Sequence, residues 1–177
     1  MKRRLALIPE LLFSSLLLSG GWCAGQTTSA AEVSPLAEPY HQQGMVALQK
    51  GDLRTAIRKL RLAVKYAPKS PLTHNCLGLA YLENGQADRA VREFRNAIAL
   101  GPYFTEAYLN MARALARRQD FDAALQFCQY ALRQRPDWAE AHYELGLALR
   151  ALGREAEASA AFEKAGERDP RLGPPRD

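Results

Sequence analysis

Residues 71–104 read PLTHNCLGLAYLENGQADRAVREFRNAIALGPYF, and this stretch decides the fold because the chain on either side of it repeats its pattern. Prolines recur every 34 residues, at Pro68, Pro102, Pro136 and Pro170. With proline numbered as repeat position 32, the repeats span 37–70, 71–104, 105–138 and 139–172. A fixed period in the range of about 20–50 residues predicts a solenoid of stacked, similar units.

The four repeats share several further columns. Two segments near positions 1–14 and 17–30 have apolar residues at helical period, so each repeat is predicted to be a pair of helices. Small residues at positions 8, 20 and 27 would let the paired helices approach closely, while position 24 fills the gap between them. The columns are Gly44, Gly78, Ala112 and Gly146 at position 8; Ala56, Ala90, Ala124 and Ala158 at position 20; Leu60, Phe94, Cys128 and Phe162 at position 24; Ala63, Ala97, Ala131 and Ala165 at position 27; and Tyr40, His74, Tyr108 and His142 at position 4.

This pattern resembles the tetratricopeptide repeat (TPR) family, whose signature has an aromatic residue at position 4, Leu-Gly at 7 and 8, Tyr at 11, Ala at 20 and 27, Phe at 24 and Pro at 32. The resemblance covers 136 of 177 residues. It departs from the signature at Gln43 (position 7), at Gln119 (position 15, where the family has glycine) and at the two histidines of position 4. The resemblance implies an all-α, right-handed superhelical solenoid of four helix-turn-helix repeats.

Local signals mark the predicted helix ends. Glycine follows the first segment in three repeats, where a helix commonly ends in a left-handed residue. Asp52 and Asp120 are predicted N-caps of second helices, and Ser70-Pro71 supplies a cap and a first-turn proline. The glycines are Gly51, Gly85 and Gly153.

The fourth repeat is predicted to close the array. Three columns that are mostly apolar in the first three repeats become polar or small in the fourth, so its second helix should face water. The fourth-repeat residues are Glu155, Ser159 and Gly166 at positions 17, 21 and 28.

The beginning of the sequence predicts export. Lys2-Arg3-Arg4 precede an apolar run at 11–18 and small residues at 19–25, which is the pattern of a secretory signal peptide. We expect a signal peptide over 1–25, a flexible leader over 26–36, a tail over 173–177, and a periplasmic or secreted location. The alternative is an uncleaved signal anchor, which would make the chain a membrane-anchored envelope protein.

The three cysteines predict neither a zinc site nor a disulfide, and one of them raises the question of lipidation. Cys23 could carry a lipid, but Trp22 stands where a lipoprotein signal has a small residue. Membrane attachment is therefore expected only if Cys23 is lipidated or the signal is retained. Cys76 and Cys128 match no zinc spacing, and the register places them too far apart for a disulfide.

Composition and motifs argue against other function classes. The net charge is +5, of which the basic head and Glu10 account for +2, and we interpret the remainder as dispersed, which disfavours nucleic acid. No phosphate loop, paired carboxylates, zinc-protease motif or Ser-His-Asp set can be assembled from the chain. We predict that the protein is not an enzyme and binds no metal or small-molecule cofactor.

The resemblance also implies a binding surface. In TPR arrays the first helices line a concave groove, with positions 2, 5, 6, 9, 12 and 13 facing the ligand. Here these positions are largely apolar in repeats 1 and 2 and mix arginine, asparagine and tyrosine in repeats 3 and 4, which suits an extended or helical peptide. The predicted partner-binding residues are Met45, Asn75, Leu79, Leu82, Leu109, Asn110, Arg113, Arg117, Tyr143, Leu147 and Arg150.

An alternative stands beside that interpretation. The leucines could be covered by neighbouring helices, and Arg113 and Arg117 could form ion pairs with Glu140 or Glu144 worth about 0–1 kcal/mol. The dicarboxylate clamp of chaperone-binding TPR proteins is not expected, because its positions hold His41, Met45, Glu106 and Asn110.

The sequence therefore predicts a non-catalytic protein–protein interaction adaptor of the cell envelope that binds a peptide or helix of a partner in its groove. A second hypothesis, by analogy with TPR pilotins, is an assembly factor for a type IV pilus or secretion complex, possibly tethered to the membrane.

Overall fold

The computed structural model describes residues 35–173, in which there are eight α-helices and no β-strand. Each helix begins and ends within one residue of the predicted segments, and the all-α repeat architecture is confirmed. The helices are α1 (Glu38–Gln49), α2 (Leu53–Tyr66), α3 (Pro71–Glu83), α4 (Ala87–Leu100), α5 (Thr105–Arg117), α6 (Phe121–Gln134), α7 (Ala139–Ala151) and α8 (Glu155–Arg168), followed by a 3-10 turn at Pro170–Leu172. The expected signal peptide, most of the leader and Cys23 lie outside the described residues.

The helices form a linear array of hairpins. Each first helix packs against the second helix of its own repeat, and each second helix packs against the first helix of the next repeat. Successive first helices, α1, α3, α5 and α7, also contact one another, so they lie side by side along the inner side of the array. Within the described part of the chain, no helix is both long enough and apolar enough to cross a bilayer.

In three of the four hairpins, the glycine at position 8 lies directly against the side chain at position 24. A β-carbon at Gly78 would lie 2.5 Å from Cε1 of Phe94, and one at Gly146 would lie 2.6 Å from Cε1 of Phe162. No real β-carbon tolerates such a distance, so glycine at position 8 is required wherever position 24 carries a phenylalanine. In the third repeat position 24 holds the smaller Cys128, and position 8 holds the larger Ala112 in place of glycine.

The predicted caps are present. The Asp52 carboxylate accepts the Thr55 backbone N–H at 3.0 Å, and the Asp120 carboxylate accepts that of Ala123 at 3.4 Å. Ser70 Oγ likewise accepts the Thr73 N–H at 3.4 Å, directly before the first-turn Pro71. These side chains satisfy backbone donors that the helix itself leaves unpaired.

The residue two positions after each first helix is left-handed in all four repeats, but one of the four is not glycine. Gly51, Gly85 and Gly153 have φ between 73° and 76°, and Gln119 is held at φ 63°. An L residue in this conformation costs roughly 1–2 kcal/mol relative to a right-handed one. The third repeat therefore stores a local strain that glycine would relieve.

We expect Gln119→Gly to raise the free energy of unfolding by about 1 kcal/mol, because the relief of strain exceeds the greater entropy of glycine in the unfolded chain. Gly85→Gln is the matched control. A β-carbon at Gly85 would meet nothing within 4 Å, so only the backbone conformation opposes that change. Urea unfolding should show stability changes of opposite sign for the two variants. A loss of stability in Gln119→Gly would show that the glutamine side chain contributes more than its backbone costs.

The aromatic column at position 4 turns out to be a hydrogen-bonding column. Tyr108 Oη donates to the Pro102 carbonyl at 3.0 Å, and His142 Nε2 donates to the Pro136 carbonyl at 2.8 Å. His74 Nε2 donates in the same way to the Pro68 carbonyl at 3.0 Å. Histidine can therefore replace tyrosine at position 4 because both reach the carbonyl of the proline that closes the preceding repeat.

His74 has a second partner on α4. Its Nδ1 lies 2.8 Å from Oε2 of Glu93, so both ring nitrogens face acceptors and the doubly protonated ring is favoured. The hydrogen bond to Glu93 is the main reason that the pKa of His74 is raised above 6.5, against an opposing effect of burial. His41 on α1 behaves oppositely, since burial lowers its pKa.

These pKa shifts predict that the contributions of the two histidines to the free energy of unfolding depend on pH with opposite sign. A raised folded-state pKa means that the stabilising contribution of His74 is complete below about pH 6.5 and is lost as the pH rises through its folded-state pKa. In an NMR titration of the imidazole C–H signals, His74 should titrate above 6.5 and His41 below it. Glu93→Gln should lower the His74 midpoint and leave that of His41 in place. An unshifted His74 midpoint in the variant would contradict the assigned cause.

The carboxyl-terminal end of the array is closed. Glu155 and Ser159 on α8 are exposed, as predicted for a helix that faces water. The 3-10 turn, which the sequence pattern did not predict, folds back so that Leu172 is buried with Ala139 and Ala165. The apolar end of the last hairpin is thus covered by the chain itself.

Candidate protein-interaction site

The inner side of the array carries the residues that the sequence predicted to contact a partner. We call this surface the inner trough and define it by the inward side chains of α1, α3, α5 and α7. Its predicted members divide by exposure. Those with accessible surface are Met45, Arg113, Arg117, Tyr143, Leu147 and Arg150, and those that are buried are Asn75, Leu79, Leu82, Leu109 and Asn110.

The buried members form the floor of the trough. Leu79, Leu82 and Leu109 belong to the main hydrophobic cluster and are covered by adjacent helices. This is the arrangement expected from the alternative interpretation, in which the leucines stabilise the array. Cys76, expected to face the groove, is also fully buried. The accessible surface of the trough is therefore narrower than the repeat positions alone suggested.

A ladder of polar side chains crosses three repeats along this floor. Asn110 Nδ2 donates to Asn75 Oδ1 at 2.9 Å, and Arg113 Nη1 donates to Asn110 Oδ1 at 3.4 Å. Arg113 Nε then donates to Glu144 Oε1 at 2.6 Å. The ladder thus joins α3, α5 and α7 through side chains rather than through backbone.

Burial gives this ladder its energetic importance. Asn75 and Asn110 are 0% and 2% exposed, and the side chains of Arg113 and Glu144 are 13% and 12% exposed. Removing one partner of such a buried pair leaves an uncompensated charge, which is far more costly than breaking a surface ion pair. The predicted pairing of Arg113 with Glu144 is confirmed, but the expectation that this is a surface pair is wrong.

One donor at the end of the ladder has no partner. Asn75 Nδ2 is buried and makes no hydrogen bond within the described structure. A buried amide N–H without an acceptor costs about 1–3 kcal/mol. Because Asn75 is 0% exposed, this donor lies beneath the accessible surface of the trough.

The contact between Asn75 and Asn110 reflects the register between neighbouring repeats. Position 5 of one repeat lies against position 6 of the next, a separation of 35 residues, as for Asn75 and Asn110. The same register brings His41 Nε2 to 3.4 Å from Cys76 Sγ. Sequence reasoning placed these residues on one helix face each and missed their contact across repeats.

The accessible wall of the trough lies in the fourth repeat. Tyr143 packs against Phe162 with ring centroids 5.5 Å apart, and the Arg150 guanidinium lies 5.4 Å from the centre of the same ring. Burial raises the pKa of the Tyr143 hydroxyl, so this group stays protonated and can donate a hydrogen bond. Leu147, half-buried, continues this wall on α7.

The two cysteines of the described residues, Cys76 and Cys128, are both buried and form no disulfide. Burial is the main cause that raises the pKa of Cys128 far above its ordinary value, so this thiol is not an activated nucleophile. Among residues 35–173 no cluster of histidine, cysteine or acidic side chains could hold a metal ion.

An array of stacked helical hairpins defines a class, the α-helical repeat proteins, which present extended surfaces for binding. Family profiles narrow this class. The tetratricopeptide repeat profile matches residues 75–139 and 109–171, and a second TPR profile matches residues 44–85. The chain belongs to the tetratricopeptide repeat family.

Solved structures agree with this assignment. The chain is similar to a MamA fragment from Desulfovibrio magneticus RS-1, with a TM-score of 0.70 and 25% identity over 78% of each chain. It is similar in fold to the protein TTC0263 of Thermus thermophilus, with a TM-score of 0.71 and 20% identity over 77% of each chain. The first TPR of Spaghetti (RPAP3), solved with the HSP90 peptide SRMEEVD, has a TM-score of 0.66 and 23% identity over 69% of this chain and 98% of that one. A search of curated protein sequences found no significant match.

Proposed function

We propose that this protein is a non-catalytic interaction scaffold that holds an extended or helical segment of a partner protein in the inner trough. The observation that carries the proposal is that five of the predicted contact residues keep accessible surface on the inner side of the array, namely Met45, Arg117, Tyr143, Leu147 and Arg150. Met45 and the Tyr143 wall would supply apolar contacts to such a segment, and the two arginines would donate hydrogen bonds to it.

The fold comparison supports this mode of binding. The RPAP3 domain is described as bound to a short peptide, and its fold matches most of this chain. The dicarboxylate clamp positions here hold His41 and Met45 in the first repeat, so we propose a ligand other than a peptide recognised through its terminal carboxylates. Burial keeps the pKa of His41 low, and the neutral ring offers no charge to such a ligand.

We also propose an envelope location, which rests on the signal-like sequence of residues 1–25. The assembly-factor hypothesis remains a prediction of the same kind. Sequencing of the mature amino terminus by mass spectrometry tests both. An unprocessed amino terminus without lipid, recovered from the cytoplasmic fraction, would contradict the envelope location.

Photo-cross-linking in intact cells tests the binding mode. We expect a photoreactive phenylalanine analogue at Met45 or Tyr143 to cross-link to a common partner. The same analogue at Arg95 or Gln129, which are exposed on second helices, should not. Arg117→Glu should reduce the trough adduct, because Arg117 is exposed at the end of α5, and the matched Arg95→Glu should leave it unchanged. Equal adducts from both faces would show that the trough is not the docking surface.

A further inference from the structure

The positive charge of this protein is concentrated in one repeat. Residues 50–69 contain seven Lys or Arg and one Asp, whereas 35–49 and 70–173 together contain 13 Lys or Arg and 15 Asp or Glu. This corrects the expectation of dispersed charge. The described chain is therefore a slightly acidic array with one strongly basic hairpin at its amino-terminal end.

The cations form a stripe along one face of α2. Arg54, Arg58, Arg61 and Lys65 follow at helical spacing and are all exposed. The spacing from 54 to 65 corresponds to about 17 Å along a helix. We call these four residues the α2 basic face. Half-buried Ile57 and Leu62 lie among the four and line the same shallow depression.

The four cations of this face form no ion pair with a carboxylate of the described residues, and Lys65 has only a ring contact, 5.9 Å from the centre of the Tyr66 ring. Several arginines on the later repeats do pair with carboxylates, as in Arg118–Asp88 at 3.2 Å and Arg135–Glu106 at 3.0 Å. None of the ion pairs in the described part of the chain involves a residue of the α2 basic face. Its charge is left for an external anion.

The charge of the equivalent columns falls steadily along the array. Positions 18, 22, 25 and 29 of the second helices are all cationic in the first repeat and carry a net negative charge in the fourth. In repeat order the columns are Arg54, Asp88, Asp122 and Ala156; Arg58, Arg92, Gln126 and Ala160; Arg61, Arg95, Gln129 and Glu163; and Lys65, Ala99, Arg133 and Glu167. The net charge at these positions therefore changes from positive in the first repeat to negative in the fourth.

We propose that the α2 basic face docks the protein on an anionic phospholipid surface, with the fourth repeat directed away from it. A row of cations along one face of a helix can touch a flat anionic surface all at once. Basic residues near an anionic leaflet add attraction that falls off within a Debye length of about 8 Å, so the acidic fourth repeat is not repelled. The trough, on the first helices, stays open to a partner.

One feature favours lipid over nucleic acid. The side chains interspersed with the cations, Ile57 and Leu62, are aliphatic and suit the interfacial region of a bilayer, while nucleic-acid faces interleave cations with aromatic side chains for stacking.

Vesicle flotation of the full chain tests the proposal. We expect wild type to float with vesicles of equal parts phosphatidylglycerol and phosphatidylcholine, and to be released by raised salt. The variant with Arg54, Arg58, Arg61 and Lys65 all changed to Gln should bind about tenfold or more weakly. The matched control changes four exposed cations of later repeats to Gln, namely Arg92, Arg95, Arg133 and Lys164, and should bind like wild type.

Each other outcome overturns the proposal. Equal binding to pure phosphatidylcholine would indicate apolar insertion and not charge. Equal weakening in the control would indicate net charge and not this face. Absence of flotation, together with a duplex DNA shift or self-association that the α2 variant loses, would assign the face to nucleic acid or to a second copy of the chain. Circular dichroism verifies that both variants remain helical.

Discussion

Gly78→Ala is expected to lower the free energy of unfolding by about 1–3 kcal/mol, although alanine is the better helix former by about 1 kcal/mol. The reason is the hairpin contact, where a β-carbon would lie 2.5, 2.7 and 3.0 Å from three ring atoms of Phe94. The ring is fully buried and cannot turn away without displacing its neighbours. Urea unfolding followed by circular dichroism measures the loss.

The third repeat suggests a second substitution that should recover part of the stability lost in Gly78→Ala. Phe94→Cys alone should cost about 3 kcal/mol or more, since it leaves a cavity where the ring was. The double variant, Gly78→Ala with Phe94→Cys, reproduces the Ala112–Cys128 pair of the next hairpin. We expect it to be more stable than the sum of the two single effects predicts, by about 1 kcal/mol or more. Strict additivity would show that positions 8 and 24 do not determine each other.

Glu144→Leu is expected to cost about 3–5 kcal/mol, because it leaves the Arg113 guanidinium buried without its carboxylate. The two groups meet at 2.6 Å and each side chain is almost nine-tenths buried. Arg113→Met combined with Glu144→Leu removes both charges and should recover most of the lost stability. Thermal and urea unfolding of wild type, Glu144→Leu and the double variant measure these differences in stability. Equal stability of Glu144→Leu and wild type would mean that water reaches the pair freely.

The same double variant separates folding from binding. It keeps the packing volume of the ladder but removes the charged group beside Asn110. If the trough binds a partner through this ladder, the folded double variant should give fewer trough cross-links than wild type. A control in which an exposed pair is removed, Arg154→Met with Glu157→Leu, should cross-link normally.

Much of the architecture could be predicted from the sequence. The 34-residue spacing of Pro68, Pro102 and Pro136 sets the repeat length, and apolar periodicity sets both helices of each repeat to within a residue. Asp52 and Asp120 were recognisable as caps, since capping depends on residues that are only three apart. These features are local, so no knowledge of tertiary contacts is needed to find them.

The inner trough was less predictable. Leu79 and Leu109 occupy positions that can face a ligand, but their exposure depends on how closely the next first helix packs over them. Hydrogen bonds such as Asn75–Asn110 join residues 35 apart and become visible only once the register between neighbouring repeats is known. The 3-10 turn that places Leu172 over the last hairpin has no periodic signal.

The sequence by itself determined that this chain is a four-repeat helical array and where each helix begins and ends, because helix periodicity, capping and proline spacing act over a few residues. Only the tertiary structure decided which inward side chains remain accessible and how a polar ladder crosses three repeats. It also decided that the cations of α2 stay exposed without ion-pair partners. Burial and ion pairing depend on the distance between helices, and that distance is set by the packing of the whole array.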